Sequence, residues 1–268
     1  MNIFRIAWTF LRIGIANEFQ YRANFFIQLL QSLISLGVGL VGLGLVFSYT
    51  GQLNGWSQPE LLAVMGVFTL MGGVIQSAIQ PNMERLANEI QQGTLDFALT
   101  KPADGQAIVS VREFRFWRLV DVAVGLVVIG IAVHEMQGGA CAACGQLGIL
   151  KILAFILALI LGGIMVYCFW LILSSVAFWV IRVDQIANLF EGIYAAGRWP
   201  VSIYPEWLQV GLTFLVPVAF AVTVPAEALT GRLTALNLLG ALGLSVGLML
   251  LARLIWRLGI KHYAGASA

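Results

Sequence analysis

Apolar residues along this chain fall into blocks longer than the core of a soluble domain requires, separated by short polar stretches. Phe25 to Phe47 contains no charged residue, and at about 1.5 Å of rise per residue one helix of that length spans the roughly 30 Å hydrocarbon of a bilayer. Leu61 to Ile79 predicts a second span, closed by Pro81. Leu119 to Val133 is the core of a third, extended backwards through Trp117. Ile149 to Ile181 predicts a long, tilted fourth, with Lys151 snorkelling at its outer end. Leu233 to Trp256 is the last, trailed by Arg257, Lys261 and His262. Ahead of them all, Asn2, Arg5, Thr9 and Arg12 share one helical face of Met1 to Arg22, with Ile3, Ile6, Phe10 and Ile13 turned away. That pattern predicts a helix lying in the membrane interface.

Between the fourth and last blocks the pattern admits two layouts. In one, Trp207 to Val224 is span five, interrupted by Pro217, and Gln185 to Ala196 is interfacial. In the other, Gln185 to Val201 crosses, and Trp207 to Leu229 is a re-entrant hairpin bent around Pro217 and Pro225. Both give six spans and a single transmembrane domain over residues 1–268.

Composition agrees with this all-α integral membrane class. The 268 residues are 60% hydrophobic and 10% charged, against the roughly 25% charged of an ordinary soluble domain. A net charge of +2 supplies no basic tract for nucleic acid. Where the charges fall says more. In the re-entrant layout Arg5, Arg12, Arg22, Arg85, Lys101, Arg112, Arg115, Arg118, Arg182, Arg253, Arg257 and Lys261 share one side, which the positive-inside rule assigns to the cytoplasm. Thr50 to Glu60 and His134 to Gly148 carry no Lys or Arg and are expected outside, with both termini inside. Charges scattered through Met1 to Arg22 argue against a cleavable signal peptide.

Motifs exclude several chemistries. Gly37-x-Gly39-x-x-Gly42 lies inside span one, without the strand a dinucleotide site needs. No P-loop, G-x-S-x-G or H-E-x-x-H occurs, and His134 and His262 belong to opposite faces. No catalytic constellation and no cofactor site is expected. Cys141 and Cys144 sit in a Gly-rich stretch near His134 without a full zinc set, which favours a local disulfide or idle thiols over a metal site. Cys168, in an apolar run, is expected to be inert. Ser35 and Gly39 in span one, and Gly243 and Gly247 in span six, have the spacing of close helix packing, expected within one subunit.

Ionisable residues at membrane depth are costly and often functional. Asp121 and Asp184 fall near the cytoplasmic interface, whereas Glu191 and Arg198 are embedded in the re-entrant layout, about two turns apart on one helical face. That pair is the candidate for a translocation path.

The longest polar stretch, residues 80–118, must lie outside the bilayer. Within it Ile90 to Asp104 reads IQQGTLDFALTKPAD. Gly93 can end one helix, Thr94 can start the next turn, and Pro102 ends it. Leu95, Phe97 and Leu99 then have no membrane to enter, so a partner's groove is the expected place for them.

Here the chain resembles the ABC-2 type permease family, in the branch with a G-x-L-D-x-x-L-x-K-P signature after span two. Gly93, Leu95, Asp96, Leu99, Lys101 and Pro102 match it, and W-P-x-x-x-Y-P at Trp199 to Pro205 and the proline-spaced stretch Pro217 to Glu227 add less specific support. The resemblance covers essentially the whole chain. It implies half of a type V exporter in the cell membrane: a second permease, identical or related, and two ABC ATPase subunits that bind ATP and Mg. Each ATPase would dock on a coupling helix formed by Gly93, Leu95, Asp96, Phe97, Leu99, Lys101 and Pro102. It also favours the outer re-entrant hairpin, over residues 202–232. Some relatives are associated with export of drugs or organic cations, and wider relatives move lipids or polysaccharides. The competing reading, a secondary carrier or channel, would show paired inverted repeats and several embedded charges.

Overall fold

The computed structural model describes residues 22–100, 104–138, 148–179 and 186–263. The expected interfacial helix before Arg22 lies outside the described residues, as do Lys101, Pro102, Cys141, Cys144 and Asp184. The elements are α1 (Arg22–Tyr49), α2 (Gln58–Gln91), α3 (Asp96–Leu99), α4 (Gly105–Val109), α5 (Leu119–Gly138), α6 (Ile149–Ser175), α7 (Ile186–Ala195), α8 (Glu206–Leu215), α9 (Ala219–Thr230) and α10 (Ala235–His262). Among the described residues, α1, α2, α5, α6 and α10 are long and apolar enough to cross a membrane.

Helix α2 continues where the sequence predicts a stop. Pro81 lacks an N–H and crowds the carbonyl four residues back, and the helix absorbs this with a π turn at Ile75–Ile79. The carbonyl so displaced, that of Ser77, accepts the Arg115 N–H at 2.9 Å. Buried Asn82 completes the clamp: its amide donates to the Ala78 and Glu113 carbonyls, and its oxygen accepts from the N–H groups of Arg112 and Glu113. Gly93, at φ +70°, ends the helix in the left-handed conformation that frees Thr94 N–H to reach the Glu89 carbonyl at 2.9 Å.

Contacts order the helices between two ends of the bundle. At one end Asn54 and Trp56 both bond to Ser202, and Arg232 is bidentate to Glu60. At the other, Tyr263 bonds to Leu95, Arg253 pairs with Asp104, and the ring of Trp179 meets His262. The chain therefore passes from the second end at Trp179 to the first at Ser202. It climbs α2 as it does so, with Glu191 on Gln80, Tyr194 on the Phe68 carbonyl, and then Ser202 on Trp56.

Helices α8 and α9 meet at 80° around Pro217, and the pair departs from and returns to the same end. A Cβ on Gly162, midway along α6, would strike the Phe220 carbonyl, and one on Gly197 would lie 2.5 Å from Val218, so the hairpin tip reaches the middle of the bundle. The crossing between Trp179 and Ser202 is thus made by α7 and the turn after it, not by the bent pair.

A tight seam joins α2 to α5. A Cβ on Gly125 would stand 2.5 Å from Leu70 N, one on Gly66 2.9 Å from Ile129 N, and one on Gly73 2.8 Å from Val122 N. Backbone meets backbone there, which only glycine permits. The glycines of span six behave differently from expectation: nothing among the described residues comes within 4 Å of a Cβ at Gly243 or Gly247, because that face of α10 points away from the helices described.

Candidate functional site

The opposite side of α2 is open. A cleft of about 280 Å³ runs between α1, α2, α5 and α7. Its apolar wall is Leu36, Met65, Phe68, Phe190 and Tyr194, and its polar wall includes Gln28, Ser32, Ser35, Thr69, Gln76, Gln80, Asp121, Glu191 and Arg198. Such a density of amides and charges inside membrane-crossing helices is costly unless it faces water, protein or cargo.

The polar groups come from several elements. Gln28 of α1 donates to Asp121 of α5 at 2.8 Å, and Arg118 approaches the same carboxylate at 3.9 Å. Gln80 of α2 spends both amide hydrogens on carboxylates, Glu84 at 2.7 Å and Glu191 at 3.1 Å. Phe190, Tyr194 and Phe68 form a column of near-parallel rings, with centroids 5.8 Å and 4.9 Å apart. The Arg198 guanidinium lies 5.6 Å over Phe68. Glu191, Gln31 and Ser35 are exposed at the mouth, so the cleft opens sideways, beside the apolar face of α1.

Glu191 and Arg198 thus line one cleft. Asp121 joins them there, a correction: its distance from the bilayer centre matters less than its aim, and α5 turns it inward towards α1. Sequence reasoning also passed over Gln28, Gln31, Gln76 and Gln80. The signal was available, since Gln28, Gln31, Ser32 and Ser35 recur at the three- and four-residue spacing of one helical face. Counting charges alone hid it.

The second candidate region is residues 93–100 and 104–112, at the far end of the bundle. Leu95 is fully buried and its N–H donates to the Tyr263 hydroxyl at 3.0 Å. Leu99 is half-buried against the core. The expectation that both leucines lack an internal place is therefore corrected: they pack on the protein's own helices, because α10 extends to His262 and passes beneath them. Asp96 is half-exposed. Nearby, Asp104 holds Arg253 through two oxygens, at 2.6 and 3.1 Å, and this guanidinium keeps the Asp104 carboxyl below its ordinary range. Burial raises the Tyr263 phenol, which remains a neutral acceptor for Leu95. Ser110 and Gln106 bond to Tyr167 of α6. Arg112, 9% exposed, donates from Nη1 to both carboxylate oxygens of Glu89 at 2.8 Å. The segment is thereby bolted to α2, α6 and α10 together.

The sequence model of a family described as ABC-2 family transporter protein matches residues 33–267. No curated protein and no solved structure matches the chain.

Proposed function

The chain belongs to the ABC-2 transporter family, and from that premise we propose that this multi-pass membrane protein is the permease subunit of an exporter powered by a separate ATPase. The cargo is an amphiphile, drug-like or lipid, taken from the cytoplasm or inner leaflet. The cleft beside α2 carries the reading: polar groups from four helices converge on one space that also opens sideways towards the bilayer. A molecule with an apolar tail and a polar head is the chemistry such a space accepts.

In this reading the end of the bundle holding Leu95 and Asp104 faces the cytoplasm, where most Lys and Arg residues fall, and the hairpin α8–α9 is re-entrant from outside. The protein resides in the cell membrane beside a second permease, identical or related. Gly93, Leu95, Asp96, Phe97, Leu99, Lys101 and Pro102 form the coupling segment, with Leu95 and Leu99 as its anchors and Asp96 towards the ATPase. Two ATPase subunits bind ATP and Mg, and this chain performs no catalysis. Closure of the ATPase pair pushes the segment. Because Leu95 of the segment is bonded to Tyr263 at the end of α10, and the chain that follows it is bonded to α6 through Ser110 and to α2 through Arg112, those helices move with it, against α1 and α7 across the cleft.

The test is to purify the full-length chain from its native membranes, identify a copurifying P-loop protein, and reconstitute both. ATP-dependent accumulation of a fluorescent dodecyl amphiphile is expected, lost when the P-loop lysine is replaced. Transport that needs no ATPase and follows an ion gradient would instead make the chain a secondary carrier.

A further inference from the structure

Among the described residues, one cation in the cleft has no anion. Arg198 donates to Ser35 Oγ at a long 3.4 Å and lies over the Phe68 ring, and among the described residues it makes no ion pair. The two acids lining the cleft are engaged elsewhere, Asp121 by Gln28 and Arg118, and Glu191 by Gln80. Glu191 also sits about 10 Å away along the helix axis, seven residues at 1.5 Å each. Depth sharpens the point. Phe68 is ten residues into α2, about 15 Å from its start at 1.5 Å per residue, and Ser35 lies near the centre of α1, so Arg198 is held at membrane depth. An unpaired guanidinium there is expensive.

We propose that Arg198 is the recognition residue for an anionic oxygen group, phosphate or carboxylate, on the head of an amphiphilic cargo; this rests on the cleft being the cargo path. The guanidinium is a planar fork of five donors suited to two oxygens at once. Phe68 covers one face of it and Ser35 takes one donor, which leaves donors along its edge for a ligand. The same placement disfavours a purely cationic cargo, since the aromatic face that would attract a cation is already occupied by the protein's own. At about 280 Å³ the cleft suits a head group, and the tail has the exposed apolar surface of Leu33, Ile34 and Val38 on α1 to lie against.

The test uses the full-length chain in maltoside micelles and follows thermal unfolding during titration with dodecyl phosphate, laurate or dodecyltrimethylammonium. The first two are expected to raise Tm at about tenfold lower mole fraction than the third, the size expected for a hydrogen-bonded charge pair. Inorganic phosphate separates a head group from a free anion: it should leave Tm unchanged, and equal potency would overturn the amphiphilic part of the proposal. Arg198→Gln should abolish the preference and Arg198→Lys should retain part of it; should the Gln variant fail to fold, the Lys variant and Ser35→Ala carry the test, each with a weakened preference. Equal response of wild type to all three heads overturns the proposal, as does a preference that survives in Arg198→Gln. So does an Arg198→Gln variant that loses self-association while keeping the preference, since the guanidinium would then serve a permease contact. ATP-driven pumping that ignores the head group would sink this inference alone and leave the permease reading intact.

Discussion

The two sides of α2 are built on opposite rules. Facing α5, Gly66 and Gly73 meet Gly125, Ile129 and Val122 at distances that leave no room for a methyl group. Facing α1 and α7, the same helix lines the cleft with Thr69, Gln76 and Gln80. Adjacent residues report the change: a Cβ on Gly73 would lie 2.8 Å from backbone, whereas one on Gly72 would make an ordinary 3.6 Å contact with Tyr194. Close packing without voids transmits displacement as a rigid body, so α2 and α5 act as one unit and the cleft is where relative motion is cheap.

The severest way to break this comparison is Gly125→Val, which drives a branched side chain into Leu70 backbone. It should prevent accumulation of folded protein, scored by detergent-solubilised monodisperse yield. Gly73→Ala should cost about 1–3 kcal/mol of stability as overpacking, while Gly72→Ala should be neutral or gain up to about 1 kcal/mol from helix propensity; equal thermal shifts would erase the distinction between the faces. On the open side, Glu191→Gln should leave Tm and ATPase copurification unchanged and lower transport about tenfold, or about 1.4 kcal/mol in the barrier. Normal transport would return Glu191 to a structural role. The smallest effect belongs to the far end, where Asp104→Asn should cost about 1 kcal/mol or less, as expected of a surface ion pair. Since Arg253 holds the Asp104 carboxyl below its ordinary 3.8, this contribution is full above that value and is lost only as pH falls through the lower folded value. Stability attributable to Asp104 should therefore be flat from neutrality down to about pH 4.

The long apolar runs made the spans legible, because hydrocarbon thickness sets a length that Phe25 to Phe47 or Leu233 to Trp256 meets without reference to neighbours. Pro81 misled, since its cost is local while its remedy, the Arg115 N–H on the Ser77 carbonyl, comes from about 40 residues along. Leu95 misled likewise: an apolar residue in a polar segment has an internal home only if another helix reaches it, and hydropathy ends span six at Trp256 where α10 runs on to His262. As a result, Leu95→Asp with Leu99→Asp is now expected to destabilise the permease, and Lys101→Glu is the change expected to weaken ATPase binding while sparing Tm. Of the site, Glu191 and Arg198 were legible as charges in an apolar setting. Gln28 and Gln80 were not, because uncharged amides barely depress hydropathy yet make the cleft's hydrogen bonds.

The central claim is that cargo passes through the cleft between α1, α2 and α7 under the drive of a separate ATPase. Its most direct test places one cysteine at Ser35, in a chain lacking Cys141, Cys144 and Cys168, and measures ATP-driven transport before and after labelling with a bulky maleimide. A matched cysteine at Leu239, exposed on α10, serves as the comparison. Labelling at Ser35 should block transport, the excess of cargo should slow that labelling, and labelling at Leu239 should do neither. Full transport with Ser35 completely labelled would contradict the account.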